Sequence, residues 1–150
     1  MIKMTYSGIP VNIDPACHKT YEKLVSRAAS KAEEFPFFRM PDLFMISACI
    51  GASRNEYNPL ESKGREIFSG EAFDPDLEIP ILSALAFHKE GDLNVLLNPR
   101  KVIEIAQGWA NGGIKIVEDE LIGKPALNPL DNLVDLVSDE IQLEFGNTES

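Results

Sequence analysis

The stretch "KVIEIAQGWANGGIKIVEDELIG", Lys101–Gly123, decides how this chain folds. Val102, Ile105, Ala106 and Trp109 recur at i, i+3, i+4 and i+7, the spacing of one buried helix face. Asn98-Pro99 ahead of them is a helix-start pair: Asn caps free amides and Pro suits the first turn. Asn111-Gly112-Gly113 then interrupts the pattern, and helical character resumes up to Gly123. The expectation is two helical segments meeting at Asn111–Gly113. Trp109, the single tryptophan, would anchor the junction, and Gly112 and Gly113 would let the segments kink or pack closely. The competing reading is a phosphate loop. That chemistry needs GxxxxGK[ST], or GxGxxG between a strand and a helix, because backbone amides must converge on the anion. "GWANGGIK" has neither spacing and follows a helix. An anion site would also require a new helix to start at Gly113 with its amides free.

Working outward, Asn128-Pro129 opens a last helix with Leu130, Leu133, Val134, Val137 and Ile141 as its inward face. The polar tail at 146–150 should fray. Upstream, Pro80 starts "ILSALAFHKEGD", which ends near Gly91, and "LNVLLN" follows as a connector. Residues 53–80 are rich in turn formers, with "REIF" as a short strand. Pro41-Asp42 opens an apolar helix, "PDLFMISACIGASRN". Asp14-Pro15 opens a helix over 15–34. Its stripe is Tyr21, Leu24, Val25, Ala28, Ala29 and Ala32, and Pro36 ends it. "IPVNI", 9–13, alternates as a short strand. The fold class is mainly α: a compact single-domain bundle over 1–150, of about five to six helices with one or two short strands.

Composition bounds the function. The 150 residues are 44% hydrophobic and 25% charged, ordinary globular values. No apolar run reaches the eighteen or so residues of a membrane span. The N-terminus lacks the pattern of a signal peptide. Two cysteines make no disulfide framework, so a cytoplasmic location is expected. The net charge of −10 and pI near 4.6 oppose nucleic-acid binding by the surface as a whole. The charge is uneven. Residues 1–40 hold six Lys/Arg against four Asp/Glu, whereas 41–150 hold eight against twenty.

No catalytic set emerges. His18 and His88 are the only histidines, and no HxxxH, CxxC or HExxH spacing supports a metal. Cys17 and His18 are adjacent, so a helix points them apart. A pairing of Cys49 with either histidine is left for the fold to decide. Carboxylates in "FDPDLE" and "EDE" read as a solvated face. The chain is therefore expected to have no enzymatic activity, cofactor or metal. Two charge ridges stand out. Lys19, Lys23, Arg27 and Lys31 recur every four residues on the 15–34 helix. Asp131, Asp135 and Asp139 do the same on the last helix. Solvated faces explain both. The sharper readings are an acidic protein partner, or a nucleic-acid backbone, meeting the basic ridge. The order strand, helix, apolar helix also resembles a ribbon-helix-helix protein, which dimerises and reads DNA from its strand. "IPVNI" offers such a reader only Asn12.

The blocks "MPDLFMISACIGAS", "YNPL", "ILSALAF", "GDLNVLL" and above all "WANGGIKIVEDEL" together resemble the DNA phosphorothioation-associated (dnd system-associated) protein 4 family, over about residues 37–123. The family usually has Tyr where Trp109 stands, and a fuller basic cluster near Arg54. The resemblance implies an accessory role in a bacterial system that marks DNA with sulfur or restricts unmarked foreign DNA. It brings no catalytic residue. The function expected is thus a small accessory protein of a DNA-modification or anti-phage system, acting on other proteins of that system. Its candidate interaction residues are the two ridges together with Trp109, Asn111, Gly112 and Gly113. The alternative is a ribbon-helix-helix-like DNA-binding regulator, a homodimer using the basic ridge. Neither reading involves a membrane.

Overall fold

The computed structural model describes residues 5–124 and 127–145. The tail at 146–150 lies outside them. Five α-helices and a two-stranded antiparallel sheet make up the regular structure of the described residues, so the mainly helical expectation holds. The elements are β1 (Pro10–Ile13), α1 (His18–Leu24), α2 (Met40–Ser53), β2 (Arg65–Ser69), α3 (Glu78–Glu90), α4 (Pro99–Leu121) and α5 (Pro129–Phe145).

α4 is the axle of the fold. Asn98 Oδ1 accepts from the Lys101 amide at 3.2 Å, as its sequence predicts. The helix then runs unbroken through Asn111-Gly112-Gly113 to Leu121. The predicted junction is therefore absent. Glycine costs a helix roughly 1 kcal/mol relative to alanine, and the packing of the glycine face offsets that cost. α2 lies along α4 in the most extensive contact of the molecule. It is buried almost all round, which its apolar sequence demands. α3 packs against α4 from another side and closes at Gly91, whose left-handed φ of 72° favours glycine.

The short strands cover one end of α4. β1 pairs with β2 in the register Val11↔Phe68 and Ile13↔Arg65, with an irregularity between Val11 and Asn12. Val11 and Ile13 point into the core, and the Asn12 amide donates to Gln107 Oε1 on α4 at 2.9 Å. β1 thus finds its strand partner within its own chain. A ribbon-helix-helix dimer would need that strand to pair between chains.

The helix expected over 15–34 is not formed. Pro15–Cys17 is a tight turn capped by Asp14, α1 holds seven residues, and the chain then becomes extended. Val25 bridges to Phe37, the Ser26 amide donates to Phe37 O at 2.9 Å, and the Phe37 amide donates to Leu24 O at 3.2 Å. The Ser26 hydroxyl accepts from the Ala28 amide at 3.2 Å, a local turn that competes with helix. Burying Phe37 against a β-branched residue outweighs a helical pattern made largely of alanine. Of the predicted stripe, Tyr21 and Leu24 are buried, Val25 and Ala32 are half-buried, and Ala28 is exposed.

α5 is also turned from its expected orientation. Among its described side chains, Asn132 and Leu136 are the buried ones. Asn132 Nδ2 lies within hydrogen-bonding distance of the carbonyls of Leu121 (3.1 Å), Lys124 (3.0 Å) and Leu127 (3.3 Å). This one side chain ties the end of α4 to the start of α5. Val134, Val137 and Ile141 consequently face solvent, and Leu130 and Leu133 are half-buried.

Candidate functional site

The Trp109–Gly113 block is a helix–helix seam. Trp109 is 1% exposed, and its indole Nε1 donates to Leu85 O on α3 at 3.2 Å. Tyr57 meets the indole edge-on at 4.9 Å between centroids, and His88 lies 5.8 Å away at a tilt. Lys89 Nζ sits 4.2 Å above the Tyr57 ring, a cation–π contact. Asn111 donates through Nδ2 to Asn58 O at 2.9 Å, and the Cys17 thiol approaches its Oδ1 at 3.9 Å. A Cβ on Gly112 would fall 1.9 Å from Glu56 O, and one on Gly113 would fall 1.8 Å from Ser47 O. The approach is reciprocal: a Cβ on Gly51 of α2 would fall 2.1 Å from Trp109 O. The "ANGG" residues hold neighbouring backbone, and their mid-helix position leaves no helix start for an anion.

Asn55 makes this possible. Its φ of 55° turns the chain back over the seam after α2. The Glu56 amide then donates to Gly51 O at 2.7 Å and the Asn58 amide to Gly108 O at 3.0 Å. Alternation and periodicity do not register this fold-back.

The basic ridge does not survive as a ridge. Lys19 and Lys23 share α1, while Arg27 and Lys31 lie beyond the Val25 bridge. All four are exposed. Asp131, Asp135 and Asp139 do form one exposed face of α5. Glu140 leaves that face. It accepts from Ser53 Oγ at 2.7 Å and Arg54 Nε at 2.6 Å, with a second contact to the Arg54 guanidinium. Arg54 therefore clamps α5 to the end of α2.

Several other titratable groups have local partners. His18 Nδ1 pairs with Glu22 at 2.6 Å. In "FDPDLE", Asp74 Oδ1 accepts from the Asp76 amide and Glu78 Oε1 from the Asp74 amide, both at 2.8 Å, which holds the turn ahead of α3. Burial raises the Cys49 thiol above its ordinary range; burial, followed by the nearby Asp14 charge, does the same at Cys17. Among the described residues no hydrogen bond joins Cys49 to either histidine, and no group of three or more His, Cys, Asp and Glu could hold a metal. Tyr21 and Ser47 are buried with hydroxyls lacking a well-aligned hydrogen-bond partner. A cavity of about 630 Å³ is lined by Tyr6, Gly70, Phe73 and Asp76 among others and contains none of the candidate interaction residues. Its Glu71 carboxylate is already bonded to the Gly8 amide and the Ser69 hydroxyl.

Residues 17–149 match the model of the DNA sulphur modification system-associated protein 4 family. The chain belongs to this family. The match reaches beyond the 37–123 blocks, and takes in α1 and α5. No curated protein and no solved structure is significantly similar to the chain. Association with a DNA sulphur modification system is therefore the functional setting of this protein 4 family member. No helix among its described residues is long and apolar enough to cross a membrane.

Proposed function

We propose that the chain is a non-catalytic accessory protein of a DNA sulphur modification system, serving DNA marking or anti-phage restriction in the cytoplasm. It acts by binding other proteins of that system. The observation that carries this reading is how the side chains are used. The residues of the sequence motif pack α4 against α2 and the Glu56 turn, while α5 presents apolar side chains beside an acidic face. Trp109, Asn111, Gly112 and Gly113 then contribute to interaction only by holding that surface in place. Asp131, Asp135 and Asp139 lie on it. The DNA-binding alternative loses support from the divided basic ridge and from β1 pairing within the chain.

Two experiments separate the readings. A tagged chain recovered from nuclease-treated extract of cells carrying the whole gene cluster should retain another protein of the system at high salt. Duplex DNA should not be retarded by the purified chain at low salt, where phosphate contacts are strongest. Retardation that weakens steeply with salt, with no protein retained, would overturn the proposal in favour of the DNA-binding alternative.

A further inference from the structure

The helix break at Val25 brings two arginines together. Val25 bridges Phe37 in parallel, so Arg27 and Arg39 each stand two residues beyond the bridged pair. Both line one cleft of about 370 Å³, with Val25, Phe38, Met40, Ile67 and Phe68 among its apolar lining. Phe38 is 50% exposed, so this apolar surface reaches solvent. Among the described residues that line the cleft, the two arginines are the only charged ones. Arg27 has no ion pair among the described residues. Arg39 Nη2 donates to Ala72 O at 3.3 Å and lies 3.8 Å from both Asp42 and Glu78, beyond hydrogen-bonding distance of either carboxylate. A guanidinium carries five N–H donors, so Arg39 keeps donors to spare.

We propose that this cleft binds a short segment of a partner protein, taking one large apolar side chain among Val25, Met40 and Ile67 while an adjacent aspartate or glutamate meets Arg27 and Arg39. The inference gives the protein-binding role proposed above a point of contact and rests on that role. Charge complementarity chooses the occupant. Two guanidiniums beside an apolar lining match one carboxylate beside one apolar group, and arginine holds a carboxylate through paired N–H donors. The size agrees. Ligand clefts run from roughly 300 to 1,000 Å³, and this one lies near the lower limit, which suits a side chain or two. A nucleic-acid strand fits poorly. Asp42 and Glu78 stand near Arg39, and the whole chain carries a net charge of −10. A run of phosphates meets repulsion beyond its first contact, whereas a single carboxylate needs only the two arginines.

The test titrates the isotope-labelled full chain with the capped dipeptide acetyl-phenylalanyl-glutamyl-amide and follows backbone amide shifts by nuclear magnetic resonance. Saturable shifts should map to residues 25–27, 38–41 and 67–68. Acetyl-phenylalanyl-glutaminyl-amide lacks the carboxylate and should bind about tenfold more weakly, the loss expected of a charged hydrogen bond. Acetyl-alanyl-glutamyl-amide should also bind more weakly, because its methyl group leaves the apolar lining uncovered. Arg27→Gln should weaken the glutamyl peptide about tenfold and leave the glutaminyl peptide unchanged, a coupling that a purely structural arginine would not show. Arg27 is exposed, so the variant should melt with wild type. Phe38→Ser should weaken both peptides. Shifts confined to other residues, no shifts at millimolar peptide, or equal affinity for the glutamyl and glutaminyl peptides would overturn the assignment. Shifts at the cleft from oligothymidylate, with none from the peptide, would replace the partner segment with a nucleic-acid strand. A wild-type dimer in sedimentation that Arg27→Gln dissolves would replace it with a second copy. The titration reads the cleft alone: if it fails while co-purification succeeds, the partner sits elsewhere and the protein-binding role stands. The opposite pattern removes that role and keeps the cleft.

Discussion

Gly113→Ala adds one methyl group where two helix backbones are closest. The new Cβ would lie 1.8 Å from Ser47 O and 2.8 Å from both Ser47 C and Gly51 N. An ordinary carbon–oxygen approach is about 3.3–3.6 Å, so about 1.5 Å of space is missing. Every obstacle is backbone, and no side chain can rotate away. α2 and α4 must therefore separate along their length, loosening the Gly51–Trp109 contact as well. Overpacking of this kind costs about 1–3 kcal/mol, and an obstacle fixed in two helices belongs at the upper end. Alanine returns about 1 kcal/mol of helix propensity. The net loss is about 2 kcal/mol or more, equivalent to a melting temperature lowered by roughly 4–8 °C for a chain of this size. Thermal and urea unfolding followed by circular dichroism measure it. Gly91→Ala is the control: no atom lies within 4 Å of its added Cβ, so its cost of about 1 kcal/mol comes from the left-handed backbone alone. A Gly113→Ala protein as stable as wild type, or more so, would mean that propensity governs the site and would refute the seam.

Other expectations test the remaining joints. Asn132→Ala should cost about 2 kcal/mol in urea unfolding, because it removes the donor to carbonyls at the α4–α5 turn. Glu140→Ala should cost roughly 1 kcal/mol and raise hydrogen exchange chiefly in α5, since Arg54 and Ser53 lose their acceptor. Burial raises the Tyr21 phenol well above the ordinary value near 10, and the nearby Ser47 hydroxyl only partly opposes this. The unfolded chain releases this proton first, so the contribution is complete below about pH 10 and declines above it. Tyr21→Phe should leave neutral stability within about 1 kcal/mol, because it deletes a buried hydroxyl without an aligned partner. It should also lessen the alkaline loss, read as the pH midpoint of unfolding.

Legibility followed the range of the interactions. The α2, α3 and α4 patterns were readable because long apolar periodicity and Asn-Pro, Pro-Asp and Gly signals agree locally. The 15–34 helix failed because Phe37, a distant residue, captures Val25 and Ser26. On α5 the apolar stripe was visible, but its direction was set by Asn132, a polar residue that hydrophobic patterning assigns outward. At "WANGG" the choice between packing and anion binding was readable from spacing. The unbroken helix was not, because the carbonyls of Ser47 and Glu56 that require the glycines are distant in sequence. The basic ridge broke with the helix that was to carry it, whereas the aspartate ridge lies on a helix that forms in full.

The proposed function requires this protein to bind another protein of its sulphur modification system. Size-exclusion chromatography with light scattering, mixing the purified chain with each purified protein of the system in turn, tests it most directly. One mixture should elute at the summed mass without DNA. Separate elution in every mixture, with co-elution appearing only when duplex DNA is added, would rule out direct protein binding.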